Sequence, residues 1–533
     1  MYLQIKPVHY DFLNCIEDNI VSVIQWMKAD FEIMFSESWN FNIEIKDLSL
    51  SIGDIINSGV TIKDELTLLE KYRGIRTTIN NNKSTKDLFE SIKYELSINM
   101  PTLVLIDEFL LPWSNKFQSI HNQAHCCIVT GIDNDKRIIL TDAWYRKENG
   151  AITLNNFYRG VNLNTYKFEK QSEVDNSLIN WQEVLKFNVQ RLLGGKNNVF
   201  EGIRFFANIL ESDLDIKKEI QGYEQIFQIP IIRKMLTICR NRKQFSIFLE
   251  YIYNLGNCCE MLKISECMAI ASNMWNIVYA MTKKSMLSKY NKSLYLRIAN
   301  KIREIADYEE NLANNIIDLK MNETNVVECK SNNKTNQSKE ISEANSCCEF
   351  CKQTPVNLSK YFNNKGFAQK DQNEFIADFS GAGEYFILDD YLSRDHNIMV
   401  GDMNFELPDF NYYDNISCLG QTIDVPKDNY NNIMILACTT WASFTEELTI
   451  HFLNEEIKNI KIEFTEWVSP PVFKEAIAWQ GTGIRKNMNN NSCNVGVSIF
   501  AKSYLLDSGL AIDRIILPNC PNIHIFSITF SKQ

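Results

Sequence analysis

The chain of 533 residues reads as an α+β domain, then a helical domain, then a β-sandwich. Three patterns predict this order. Helical and strand periodicities alternate over the first 170 residues, helical periodicity alone runs from about 175 to 320, and short strands separated by turn residues fill the last 180. The boundaries that follow are 1–172 for the α+β domain, 173–321 for the helical domain, 322–354 for a linker and 355–533 for the sandwich.

Near the N-terminus, HYDFLNCIEDNIVSVIQWMKADFEIMF places Ile16, Ile20, Val23, Ile24, Met27, Phe31 and Met34 at helical spacing. Next come TIKDELTLLEKY as a helix, IRTTI as a strand, STKDLFESIKYELSIN as a helix capped by Ser84, and PTLVLIDEF as a buried strand. The runs CCIVTGI and RIILT, separated by the turn-forming DNDK, form a hairpin. Five apolar-striped segments then follow: INWQEVLKFNVQRLL, NVFEGIRFFANIL, IPIIRKMLTICRNRKQFSIFLEYIYNL, SECMAIASNMWNIVYAMTKK and SLYLRIANKIREIADYEENLANNIIDL. Each buries one face in a small bundle. The Asn- and Ser-rich linker carries CCEFC with Cys348 and Cys351 as a C-x-x-C pair and Cys329 upstream, without the histidines or second pair of a zinc site. Beyond it, EYFIL, QTIDV, NIMILACTT, ELTIHF, IKIEFTEW, NVGVSIFAKSYLL, AIDRIILP and NIHIFSITF alternate with turns as sandwich strands do. Trp441, Trp467 and Trp479 lie among them, either filling the core or lining a sugar-binding face.

Composition bounds the function. A net charge of −11 argues against a nucleic-acid or membrane-surface binder. The 15 cysteines are odd in number and scattered, unlike a secreted disulfide framework. No charged-then-apolar signal segment opens the chain and no membrane-length apolar run occurs, so a cytoplasmic protein is expected. No G-x-x-x-x-G-K-[ST] phosphate loop is present.

The candidate chemistry centres on Cys15, His125 and Asp142. Cys15 falls on the first turn of its helix, where unpaired backbone N–H groups and the helix dipole favour a thiolate. The hairpin brings the start of one strand beside the end of the next, so His125 and Asp142 can pair as base and orienter. His121, four residues before His125, leaves a metal pair as the competing arrangement, although no metal is expected. Cysteine at a helix start, a distant histidine opening a strand and an aspartate ending the next is the order of papain-like sites.

Those residues, with VLIDEFLLPW, H-x-x-x-H-C-C-I-V-T-G and L-T-D, make residues 1–320 resemble the butirosin-biosynthesis acyltransferase family. The resemblance implies a papain-like cysteine acyltransferase or peptidase-like domain with a companion helical domain. It implies transfer of an acyl group from an acyl or peptidyl carrier-protein thioester to an amine, in natural-product biosynthesis. The acyl group would ride on the partner's phosphopantetheine, and no bound cofactor is expected. In such a mechanism Cys15 attacks, His125 takes the amine's proton and Asp142 orients His125. The Cys15 N–H, with Asn14 or His9, would stabilise the oxyanion, and Asp107 would bind the amine. A carrier would dock on Arg233, Lys234, Arg240, Arg242 and Lys243. The same triad would also serve a peptidase or thioesterase, and a scaffold or carbohydrate-binding protein is a third reading. The C-terminal segments LSKYFNNKGFA, IADFSGAGEYF, FELPDF, GQTIDVPKDNYNNIMILA and LPNCPNIHIFSITF are similar to jelly-roll modules appended to bacterial glycoside hydrolases.

Overall fold

The computed structural model describes residues 2–44, 51–171, 180–194, 198–213, 215–223, 225–256, 259–287, 292–318, 352–368, 377–394, 397–486, 492–506 and 509–532. The C-x-x-C pair, Cys329 and most of the tract read as a linker lie outside these residues.

The N-terminal elements are α1 (Cys15–Trp26), β1 (Asn42–Ile43), α2 (Ile52–Ile55), β2 (Ile56–Asn57), α3 (Ile62–Arg73), β3 (Ile75–Asn81), α4 (Thr85–Ser97), β4 (Thr102–Ile106), β5 (His125–Ile132), β6 (Ile138–Asp142), β7 (Lys147–Ile152), α5 (Leu154–Gly160) and β8 (Val161–Lys170). Six strands form one antiparallel sheet in the order β3-β8-β4-β5-β6-β7. β5 is buried along nearly its whole length because α1 covers one face, with Ile20, Val23 and Ile24 at the contact, while Leu88 and Ile92 of α4 cover the other. That double burial explains why CCIVTGI reads as a continuous apolar run instead of an alternating one. β8 is absent from the sequence-based prediction. Its polar run VNLNTYKFEK shows only the weak alternation of a strand near the sheet edge.

Six helices follow: α6 (Trp181–Leu193), α7 (Val199–Asp213), α8 (Ile216–Ile220), α9 (Pro230–Gly256), α10 (Cys259–Leu287) and α11 (Lys292–Asp318). Their core is continuous with that around α1, through Phe31, Trp39 and Phe41 against Phe200, Phe206, Phe245 and Trp275. At its centre Arg242 of α9 and Glu309 of α11, both fully buried, form a bidentate pair with two contacts of 2.9 Å. The indole N–H groups of Trp39 and Trp275 donate to the same carboxylate at 2.9 Å each, and Arg242 donates to the Asn40 carbonyl at 2.5 Å. Every polar atom of this pair thus has a partner, the condition under which buried charge is tolerated.

This overturns the docking role expected of Arg242. Its guanidinium binds the N-terminal loop to two helices and never reaches solvent. Lys234, Arg240 and Lys243 are half-buried and only Arg233 is exposed. Arg240 turns inward, where its charge bears on Glu17 and Asp18 of α1. The run IIRKMLTICRNRKQ is therefore no continuous basic surface, because Arg242 is spent on the buried Glu309 and Arg240 bears on the carboxylates of α1.

The C-terminal region is a sandwich of two main sheets, with a separate two-stranded ribbon of Asn397–Val400 and Met403–Glu406. The larger has eight strands, ordered Phe367–Ala368, Tyr385–Ile387, Ala476–Lys486, Ser492–Leu505, Asn432–Thr439, Ile523–Ser531 and Ile416–Ser417, with Gln353–Pro355 also on Ile523–Ser531. The smaller is Thr422–Asp424, Ile512–Ile516, Phe444–Phe452 and Ile457–Phe464. Ala476–Lys486 escapes the sequence-based prediction because AIAWQGTGIRK carries two glycines and little alternation. Trp441, Trp467 and Trp479 are at most 5 % exposed and fill the core, so they line no sugar-binding face. α10 fastens this region through Asn276, Lys283 and Lys284, which donate to the carbonyls of Ser443, Trp441 and Pro521. Among the described residues no helix is long and apolar enough to cross a membrane.

Arg242→Ala leaves Glu309 buried without its countercharge, so it is expected to cost about 3–5 kcal/mol. Denaturant unfolding of the purified variant checks this, and an unchanged midpoint would contradict the central role of the pair.

Candidate functional site

The site is built where the N-terminus of α1 meets the edges of β5 and β6. Asn14 caps α1: its Oδ1 accepts from the N–H groups of Ile16 (2.9 Å) and Glu17 (3.1 Å), and Glu17 returns a carboxylate to the Asn14 N–H at 2.8 Å. This capping box satisfies the second and third helical donors and leaves the first. Among the described residues the Cys15 N–H has no acceptor. The thiol therefore stands beside a free, correctly polarised donor.

Asn19, one turn along α1 and fully buried, ties the helix to the sheet. Its Nδ2 donates to the carbonyls of Cys15 (2.7 Å) and Cys126 on β5 (3.0 Å), while its Oδ1 accepts from Ala143 after β6 at 3.3 Å. One side chain thus sets the position of all three candidate residues. Sequence reasoning missed it; the usable signal is an amide four residues after the cysteine on an otherwise apolar face.

His125, 3 % exposed, points Nε2 at Asp142 Oδ2 at 2.8 Å. Cys15 also acts on its imidazole, and the Cys15 Sγ donates to the Ala124 carbonyl, just before β5, at 3.9 Å. Burial pushes the imidazole pKa down, but the hydrogen bonds and charges of Asp142 and Cys15 outweigh it and raise the value to about 10. Asp142, fully buried, also accepts the Trp113 indole N–H at 2.8 Å on Oδ2 and the Tyr145 N–H at 3.3 Å on Oδ1. Gly150 on β7 makes room for that indole, since a Cβ there would sit 2.4 Å from the Trp113 ring.

The structure thus brings Cys15, His125 and Asp142 together. The other expected site residues are placed differently. Asn14 spends its side-chain oxygen on the helix cap, so the oxyanion role expected of it would fall to its Nδ2 group. His9 is held by the buried Asp18 (Nδ1 to Oδ2, 2.6 Å), which also takes the Tyr10 N–H at 3.1 Å, and its ring meets Trp144 edge-on with centroids 5.1 Å apart. Asp107 is not free to bind an amine. Its carboxylate accepts from His121 at 2.6 Å and from the N–H groups of Asn122 and Phe109 at 2.9 and 3.1 Å. Burial acts to raise its pKa, and those bonds lower it overall. His121 is consequently stacked on Phe109, with centroids 4.2 Å apart, and paired to Asp107, so the two-histidine metal arrangement does not form.

Two further features went unread. Glu108 is buried, and burial alone would raise its pKa, yet Lys116, Tyr145 and Asn122 bring it down to about 2. Tyr145 packs on His125 at 5.5 Å, so this fixed negative charge lies one ring away from the imidazole. Cys127, two residues after His125 on the same strand face, places its sulfur 3.6 Å from Asp142 Oδ2. His125, Cys127 and Asp142 together offer donor atoms within 4.8 Å of one another, enough to hold a metal ion.

The family model of AziU2-like beta-sandwich domains matches residues 352–533. The match covers the sandwich and stops short of the Cys15 site. No curated protein matches the chain.

Asn19→Ala orphans the buried Cys126 carbonyl and Ala143 N–H. It is expected to cost about 2–3 kcal/mol of stability and to slow Cys15 alkylation by iodoacetamide. Unchanged melting and labelling would show that α1 is seated by apolar contacts alone.

Proposed function

We propose that this protein is a cysteine-dependent acyltransferase that moves an acyl group from a thioester to an amine. The observation that carries the proposal is the convergence of Cys15, His125 and the triply anchored Asp142 at a helix start whose first N–H is unpaired. In support, the cysteine helix packs on an antiparallel sheet whose adjacent strands deliver histidine and aspartate, as in papain-like enzymes.

The steps follow from the geometry. The Cys15 thiolate adds to the thioester carbonyl, and the new oxyanion meets the Cys15 N–H. Collapse expels the donor thiolate, which takes a proton from the His125 imidazolium, and leaves an acyl–Cys15 thioester. The amine then attacks. Neutral His125 accepts its proton, the C–S bond breaks, and the amide leaves with Cys15 restored. Asp142 keeps Nε2–H directed away, so Nδ1 is the nitrogen that exchanges protons with substrate. His9, fixed by Asp18 beside Trp144, is the side-chain candidate for a second oxyanion donor. The donor is a carrier-bound phosphopantetheine thioester in this proposal, a cofactor-free arrangement for the enzyme itself.

Intact-protein mass spectrometry with a panel of acyl-carrier thioesters tests the proposal. Wild type is expected to gain one acyl mass, which is lost on addition of an amine. Cys15→Ala should gain none, and His125→Ala should slow acylation on the order of 10² to 10⁴-fold. Discharge by water at the same rate with and without amines would make the enzyme a hydrolase, and no acyl adduct with any donor would overturn the proposal.

A further inference from the structure

The nucleophile mechanism makes no use of Cys127. It is fully buried, on the strand face that also carries His125, and the β5–β6 register pairing Ile128 with Thr141 runs on to set Cys127 opposite Asp142. Asp142 Oδ2 thereby stands 2.8 Å from His125 Nε2 and 3.6 Å from Cys127 Sγ, and all three donor atoms lie within 4.8 Å of one another.

We propose that His125 Nε2, Cys127 Sγ and Asp142 Oδ2 form a binding site for one zinc-class divalent cation, and that its capture switches the Cys15 site off. The donor set favours this ion class. An imidazole, a thiolate and a single carboxylate oxygen suit zinc, whereas magnesium and calcium take oxygen ligands. Tetrahedral zinc with these bond lengths spaces its ligands about 3.5 Å apart. The sulfur–carboxylate distance already meets that, and the imidazole–carboxylate distance needs to open by less than an ångström. The outer contacts are in place as well: the Trp113 indole N–H and the Tyr145 N–H hold the carboxylate, as neighbours of a ligating carboxylate do.

The exchange balances in charge. One M²⁺ enters while the His125 Nε2 proton and the Cys127 thiol proton leave to solvent. With the Nε2 lone pair in the metal bond, the imidazolium that protonates the leaving group cannot form, so acyl transfer stops although Cys15 itself is untouched. Binding at this site stands apart from the acyltransferase reading, because its ligands bind whether or not Cys15 has a substrate, whereas the switching rests on that reading.

The test uses full-length Cys15→Ala protein, which cannot bind zinc through the nucleophile. Equilibrium dialysis against Zn²⁺ with metal analysis is expected to show an equivalent that is lost in Cys15→Ala/Cys127→Val and in Cys15→Ala/Cys127→Ser. The serine variant keeps a small polar side chain, and circular dichroism melting of both confirms that fold is retained. A loss of affinity on the order of 100-fold, beyond the effect of losing an outer contact, supports the site. Co²⁺ should give a thiolate charge-transfer band in Cys15→Ala that the Cys127 variants lack. Zinc bound equally with and without Cys127, or no stoichiometric zinc in Cys15→Ala, would overturn the proposal, and neither result bears on acylation of wild-type Cys15.

Discussion

The buried amide of Asn19 is the constraint from which the rest of the site follows. A helix and a sheet packed through aliphatic side chains can slide by an ångström at little cost, because apolar contacts are non-directional. Asn19 removes that freedom with two directional bonds across the interface, to Cys126 on β5 and Ala143 just after β6, while a third, to the Cys15 carbonyl, holds its amide within α1. The interior around it then fixes the helix at larger scale. Arg242 and Glu309 pin the loop after α1 to α9 and α11, and the aromatic residues between them make the N-terminal sheet and the helices one continuous core.

Burial distinguishes the three imidazole–carboxylate pairs of the region. His9–Asp18, His121–Asp107 and His125–Asp142 have similar bond lengths of 2.6, 2.6 and 2.8 Å. The side chain of His121 is 68 % exposed, that of His9 15 % and that of His125 3 %. Only the last excludes water enough for charge on its partners to act at full strength. Glu108, fixed as an anion one ring away, adds to the preference for a charged imidazole.

The helix of Cys15, the hairpin and the pairing of His125 with Asp142 were legible because each rests on local periodicity and on the alternation of a two-strand turn. What the sequence hid depends on packing partners far along the chain. Arg242 and its neighbours look like an exposed basic face until Glu309, on another helix, is placed beside them. Asn14 followed by Glu17 is a capping-box signature that marks the helix start, and the structure places the Asn14 side-chain oxygen in that cap. Asp107 looked available because nothing local shows that His121 folds back onto it. The polar strand β8 and the glycine-containing strand Ala476–Lys486 carry too little alternation to stand out, and the sheets around them supply the order they lack.

The central claim is that Cys15, His125 and Asp142 form one coupled unit, and the charge state of His125 measures it most directly. A histidine whose folded pKa is raised keeps its proton, and the stability that proton brings, until the pH passes the folded value; below the unfolded value of 6.5 that contribution is fully present, and it is lost as pH rises through about 10. Nitrogen-15 NMR of histidine-labelled protein across this range is expected to show one imidazolium, absent in His125→Ala, persisting to about pH 10. Its midpoint should fall when Cys15→Ala removes one of its two partners. A His125 that titrates near 6.5 in wild type and does not respond to Cys15→Ala would contradict the account.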